Sequence, residues 1–261
     1  MKRQHNCLTL NVAILAVVFC FVGAPLVFAA EAKTAQPKAK KTAAEKGDVS
    51  FAKETVGSIP SGWQIAETNG KGTPAKWEIV EDPSAPEGPK VIAITANENK
   101  GGTFNLLIAK KDNMKDVFVS VTLKATEGKQ DQGGGPIWRC KDANNYYIAR
   151  WNPLETNLRL YYVKDGKRVQ IATVEKIQAD PKAWHRISVR QVGPSIMVWF
   201  DGKKKIETKE ATLTDAGMVG LWVKADGRSE FTKFRVRPPT IAKPAKKGEK
   251  KVEKEGEKGK K

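Results

Sequence analysis

Between Phe51 and Val236 the sequence runs as fourteen short strand-like segments divided by Gly, Pro, Asn and Asp, with almost no stretch of helical periodicity. Strands of that length bury a core by stacking one sheet on another, so the pattern predicts an all-β, two-sheet antiparallel sandwich. Residues 116–124 carry the clearest alternation: Val117, Val119, Val121 and Leu123 interleave with Ser120, Thr122 and Lys124. One face of that strand is therefore expected in the core and the other in solvent. Lys164-Asp165-Gly166-Lys167 and Phe200-Asp201-Gly202-Lys203 each place Asp-Gly between strand-like runs, where Gly supplies the positive φ of a tight hairpin. Residues 211–217 read as a loop crossing between sheets. Residues 49–240 read as one domain, in which the sequence shows no internal repeat.

The flanks differ in kind. Lys2 and Arg3 precede an apolar run from Val12 to Phe28, interrupted by Gly23 and Pro25 and closed by Ala29 and Ala30. This is the layout of a secretory signal over residues 1–30, cleaved after Ala29 or Ala30, with an uncleaved anchor as the rival. The run is shorter than the roughly 20 residues of a membrane helix, so no transmembrane span remains after cleavage and the protein is expected in the periplasm or outside the cell. Cys7 and Cys20 leave with the signal; Cys140, alone, cannot form an internal disulfide and reads as a small buried hydrophobe.

Of the formal charge of +17, more than half lies in residues 31–48 and 241–261 and the signal. Both flanks are rich in Lys, Ala, Glu, Pro and Gly and lack aromatic residues, a composition that predicts a disordered basic linker and a disordered tail. Such tails can hold an exported protein to anionic envelope polymers. Nucleic acid is disfavoured as a partner by the export signal and by the absence of a reading module.

From Gly133 to Arg168, aromatic residues alternate with planar or charged donors. Flat rings beside fixed hydrogen-bonding forks suit a sugar surface. The candidate ligand contacts are Trp138, Arg139, Asp142, Asn145, Tyr147, Arg150, Asn157, Arg159, Tyr161 and Arg168, joined by Trp222. The alternative for the arginines is cross-strand pairing with Asp142, Glu155 or Asp165. Tyr146 and Tyr147 point to opposite faces, one packed and one available. Asp142, Asn144 and Asn145 form a polar turn that can offer oxygens to Ca²⁺ or be a plain Asx turn; no other cofactor is indicated. His185, the one histidine left after export, excludes a zinc site of several His and Cys ligands; it shares a face with Ile187 and Val189 and is a packed histidine or a general base. Lys224 and Asp226 fall by alternation on one face with Trp222 and are candidates for acid–base work, or form a surface ion pair.

Gly134-Gly135 leading to Trp138-Arg139, then Asp142, Asn145-Tyr146-Tyr147, Arg150, Asn157, Leu160-Tyr161 and Gly166-Lys167-Arg168 resembles the bacterial 3-keto-disaccharide hydrolase domain. Trp184-His185, the Phe200–Lys203 turn and the run from Asp215 to Asp226 are similar to later parts of the same family. The resemblance spans about residues 60–237. It implies a concanavalin A-like jelly roll, the sandwich of legume lectins, laminin G modules and family 16 glycoside hydrolases. The acid pattern of that hydrolase family, Glu-x-Asp-x-Glu on one strand, is absent; in Trp77-Glu78-Ile79-Val80-Glu81-Asp82 the two Glu fall on opposite faces. The chain also departs from the family pattern at Phe231-Thr232-Lys233-Phe234 and Gly227-Arg228.

The leading expectation is an exported glycan-binding sandwich. The alternatives are an enzyme that cleaves 3-keto glycosides by proton abstraction and elimination, and a structural cell-envelope protein.

Overall fold

A computed structural model describes residues 47–240. The signal, the linker up to residue 46 and the tail from residue 241, expected from the sequence, lie outside the described residues. The strands are β1 (Asp48–Val49), β2 (Trp63–Thr68), β3 (Lys76–Glu81), β4 (Lys90–Ala96), β5 (Phe104–Met114), β6 (Val117–Glu127), β7 (Gly135–Asp142) and β8 (Asn145–Asn152). They continue as β9 (Asn157–Lys164), β10 (Lys167–Val174), β11 (His185–Val192), β12 (Ser195–Phe200), β13 (Lys203–Lys209), β14 (Gly217–Lys224) and β15 (Arg228–Arg237).

They form two sheets. One runs β13-β12-β11-β6-β15-β4-β3, with β1 added to β15; the other runs β10-β9-β8-β7-β14-β5-β2, and all pairings between strands are antiparallel. The main core lies between them. Val119 and Val121 of β6 face Trp138, Tyr147, Ala149, Trp151 and Leu221 from the seven-stranded sheet within one buried cluster. Burying so many large side chains supplies the driving force of the fold, with Cys140, the one cysteine among the described residues, free.

Both Asp-Gly hairpins form, between β9 and β10 and between β12 and β13. Asp165 and Gly166 have φ of 51° and 74°, and Asp201 and Gly202 have 48° and 77°, the two positive values of a type I′ turn. The loop after β13 carries the chain from the eight-stranded to the seven-stranded sheet at β14.

The second face of β6 departs from expectation. Ser120 and Thr122, expected in solvent, are 3% and 6% exposed. Arg235 and Ser188 flank Ser120, and Arg186 and Thr232 flank Thr122, so long neighbouring side chains on β11 and β15 cover the short hydroxyls. At the end of the same strand, Lys124 bridges Asp82 and Glu230 and lies 5.0 Å from the Trp184 ring centre.

Burial alone would raise the Asp82 pKa, but hydrogen bonds from Lys124 and Ser84 hold it below its ordinary value of 3.8. Burial pushes Glu230 the other way, above 4.5. A depressed carboxylate contributes stability that is complete above its unfolded pKa and is lost as pH falls through the folded value. Acid destabilisation from Asp82 is therefore expected below about pH 4. Urea midpoints of the native protein should fall between pH 4 and pH 2, and Asp82→Asn should flatten that limb; equal slopes in the two proteins would refute the assignment.

Candidate functional site on the outer face of the seven-stranded sheet

Alternation sends one side chain of each pair into the core and its neighbour to the outer face. On β8, Tyr147, Ala149 and Trp151 go inward, so Tyr146, Ile148, Arg150 and Asn152 go outward. On β9 the outward set is Asn157, Arg159, Tyr161 and Val163, and on β14 it is Met218, Trp222 and Lys224. Phe104 and Leu106 of β5 complete a second apolar cluster on this outer face.

Half of the face is aromatic. Phe104, Tyr146, Tyr161 and Trp222 form a floor in which Trp222 Nε1 donates to the Tyr146 hydroxyl at 3.1 Å. Arg168 of β10 lies over it, its guanidinium carbon 4.4 Å from the Tyr161 ring centre, 5.0 Å from that of Phe104 and 5.9 Å from that of Trp222. Cation–π attraction over three rings holds it there. Burial lowers the pKa of this guanidinium, with Tyr161 opposing and the like charge of Arg150 adding to the shift; from so high a starting value it remains charged.

The other half is a charged network. Arg150, 1% exposed, donates from Nη2 to Glu155 at 3.0 Å and from Nη1 to Asn157 at 3.4 Å. Arg159 reaches the same Glu155 oxygen at 2.9 Å and Glu175 at 3.5 Å. Burial would raise the Glu155 pKa, but the hydrogen bond from Asn157 and the charges of Arg150 and Arg159 bring it below its ordinary value. Lys224 pairs at 2.7 Å with Asp131, which also accepts from Asn152 Nδ2 at 3.0 Å.

A glycine-rich loop delivers Asp131. Asp226 accepts the backbone N–H groups of Lys129, Gln130 and Asp131 at 2.8 to 3.1 Å. Gly133, at a φ of 75°, passes so close to β8 that an added Cβ would sit 2.2 Å from the Trp151 carbonyl oxygen.

Three buried side-chain polar atoms of this face lack a hydrogen-bond partner among the described residues: Arg150 Nε, Tyr161 Oη and Arg168 Nη1. Depressions elsewhere, about 270 Å³ beside Lys141 and Thr214 and about 550 Å³ beside Ile65 and Pro74, have no such atoms in their lining.

The structure thus brings together Arg150, Asn157, Arg159, Tyr161, Arg168, Trp222 and Lys224. It separates the other candidates. Trp138 and Tyr147 stack between the sheets at 5.6 Å, with Trp138 Nε1 donating to Gln191. Neither tyrosine of the pair is open: Tyr146 and Tyr147 are both fully buried. Arg139 donates to the carbonyls of Lys115, Leu213 and Gly193 at 2.7 to 2.9 Å and ties loops together.

Asp142 accepts from the Asn144 N–H and the Asn145 amide, an Asx turn, while Asn145 Oδ1 accepts from the Asp165 N–H. No group of three or more His, Cys, Asp or Glu is gathered for a metal among the described residues. His185 belongs to the eight-stranded sheet, packs on Phe200 and Trp151, and has both ring nitrogens engaged, by Asp201 and by the Asp180 carbonyl. Burial pushes the Cys140 thiol up to about 12, leaving it a poor nucleophile.

Asp131, Asn152 and Phe104 were not anticipated. Asn152 lies two residues beyond Arg150 and shares its face by the same alternation, and Asp131 stands two residues before the glycine run.

Two antiparallel sheets packed around one core, with a polar and aromatic outer face, make this a jelly-roll β-sandwich of the concanavalin A-like kind. The chain belongs to the 3-keto-α-glucoside-1,2-lyase-like domain family, whose model matches residues 57–237. Among solved structures it is similar to the cellulose induced protein Cip1, at 11% identity and a TM-score of 0.55, over 75% of this chain and 99% of that one. The carbohydrate binding module CBM66 from Bacillus subtilis aligns at 18% identity and a TM-score of 0.52, over 67% of this chain and 94% of that one. The GH43 protein BlXynB from Bacillus licheniformis aligns at 14% identity and a TM-score of 0.50, covering 74% of this chain and 39% of that one. At these identities the likeness is one of fold. No curated protein matches the sequence.

Proposed function

We propose that the protein is exported and binds a saccharide on the outer face of its seven-stranded sheet. The observation that carries this reading is the trio of buried, unpartnered polar atoms on Arg150, Tyr161 and Arg168. A buried donor without an acceptor costs about 1–3 kcal/mol, and a ligand rich in hydroxyl oxygens relieves that cost. Lateral movement of Arg168 would uncover a floor of Phe104, Tyr161 and Trp222 for a sugar ring to stack on. The fold shared with a carbohydrate binding module is in keeping with this reading. Export rests on the character of residues 1–30, and attachment to anionic envelope polymers on that of the basic flanks, with neither segment among the described residues.

A second reading is favoured by the family's described activity and by Lys224 on the same face. In a 3-keto glycoside the ketone acidifies the adjacent C–H. A base takes that proton, the electron pair closes a double bond to the anomeric carbon, and the glycosidic C–O pair departs with the leaving oxygen, which is protonated. Arg150 and Arg168 would stabilise charge developing on the keto oxygen. Of the three acid–base candidates only Lys224 has its side chain on this face; Asp226 anchors a loop and His185 is in the other sheet.

Incubation of the full chain with matched plain and 3-keto glycosides, followed by chromatography, separates the readings. Release from keto substrates alone selects the lyase. Retention without release selects the binding protein. Neither retention nor release would reject both and leave the structural envelope role.

A further inference from the structure

The opposite face of the molecule carries a second concentration of arginines that the sugar-binding proposal does not use. On the outside of the eight-stranded sheet, Arg190 and Arg237 flank Phe118, and Arg235 lies beside Ser120. Arg186 is exposed two residues before Ser188, which pairs with both Ser120 and Trp199. Arg186, Arg235, Arg237, Phe118 and Trp199, with Gly202, border a depression of about 290 Å³, and Arg190 lies beside it. The three strands β11, β6 and β15 place the arginine rows about 10 Å apart.

The charges of this face are unequally answered. Arg235 is held by Asp48 at 3.1 Å and Glu87 at 3.0 Å. Arg186, Arg190 and Arg237 have no carboxylate within ion-pair distance among the described residues. Arg190 and Arg237 donate only to oxygens of Pro238 and Thr240, and Arg237 lies 4.3 Å over the Phe118 ring. The sequence that follows Thr240 carries nine lysines and four glutamates. A segment of that sign is repelled by this face, and so is a second copy of the same face. Charge complementarity calls for a polyanion.

We infer that the outer face of the eight-stranded sheet binds a carboxylate-bearing polysaccharide. A planar guanidinium fork matches the two oxygens of a carboxylate better than a point charge does. The partly exposed indole of Trp199 offers a flat surface for the sugar ring carrying that carboxylate. This site is independent of the one proposed on the seven-stranded sheet, and its failure would leave that proposal standing.

The test is affinity electrophoresis of the full chain through gels holding polygalacturonate, a neutral dextran or single-stranded DNA, at two salt concentrations. The expected result is retention by polygalacturonate alone, weakened by added salt, and about tenfold weaker for Arg186→Ala and for Arg237→Ala. Arg186 is exposed and makes no ion pair, so R186A is expected to melt with the native protein; should R237A fail to fold, R186A decides. Retention unchanged in R186A would place polyanion binding elsewhere in the chain, in the lysine-rich tail first of all, and overturn the inference. Equal retention by dextran, or tighter retention by DNA, would overturn the choice of a carboxylated saccharide.

Discussion

Asp131→Ala is expected to destabilise the folded protein by about 2–4 kcal/mol. Asp131 is 1% exposed and is the acceptor for both Lys224 and Asn152. Removing it strands an ammonium and an amide at the foot of the charged network, and breaking a fully dry pair in this way costs about 3–5 kcal/mol. The Lys224 side chain keeps a fifth of its surface in solvent, which reduces the figure. Asp131→Asn retains an acceptor oxygen for one neighbour and should lose about half as much. Urea unfolding of the two variants reads the difference; a loss below about 0.5 kcal/mol in Asp131→Ala, the range of an ordinary surface substitution, would mean that the pair does not hold the loop.

Arg150→Ala is expected to weaken saccharide binding at least tenfold. Its Nε faces no protein acceptor, while Nη1 and Nη2 fix Asn157 and Glu155. Loss of a charged donor to the ligand costs about 1.5–3 kcal/mol, tenfold to more than a hundredfold in affinity, and release of Glu155 loosens Arg159 as well. Titration calorimetry with a saccharide retained by the native protein measures it. Arg150→Lys separates charge from shape: a fork that matters leaves the lysine variant nearly as weak as alanine, whereas recovery of affinity would reduce Arg150 to a point charge.

The strand pattern was legible because its signals are local. Alternation from Val117 to Leu123 and the two Asp-Gly turns each depend on a few adjacent residues, and all fourteen expected strands are present, joined by the short β1 at Asp48–Val49. Side-chain placement was legible only where alternation ran unbroken. It grouped Trp222 with Lys224, and His185 with Ile187 and Val189, as the strands of the structure do. It failed at irregularities. Arg139, at a φ of 46°, bulges β7, so that Ile137 and Cys140 share one face across an odd spacing. Ala225, at 49°, ends β14 and turns Asp226 toward the 129–131 loop instead of the face that alternation assigned it.

Aromatic identity misled in another way. Trp138 and Tyr147 look the same in sequence as Tyr161, yet alternation places two of them between the sheets and one outside. Asp131 is brought to Lys224 by a loop 93 residues earlier in the chain, a tertiary event without a local signature.

The central claim is that the outer face of the seven-stranded sheet is a saccharide site to which the unpartnered Arg168 Nη1 donates. The most direct measurement is a glycan array probed in parallel with the native protein and with Arg168→Ala, each checked by thermal melting. The account predicts a small set of saccharides retained by the native protein and lost by the variant while both remain folded. The same saccharides held equally by both proteins, or none held by the native protein, would contradict it.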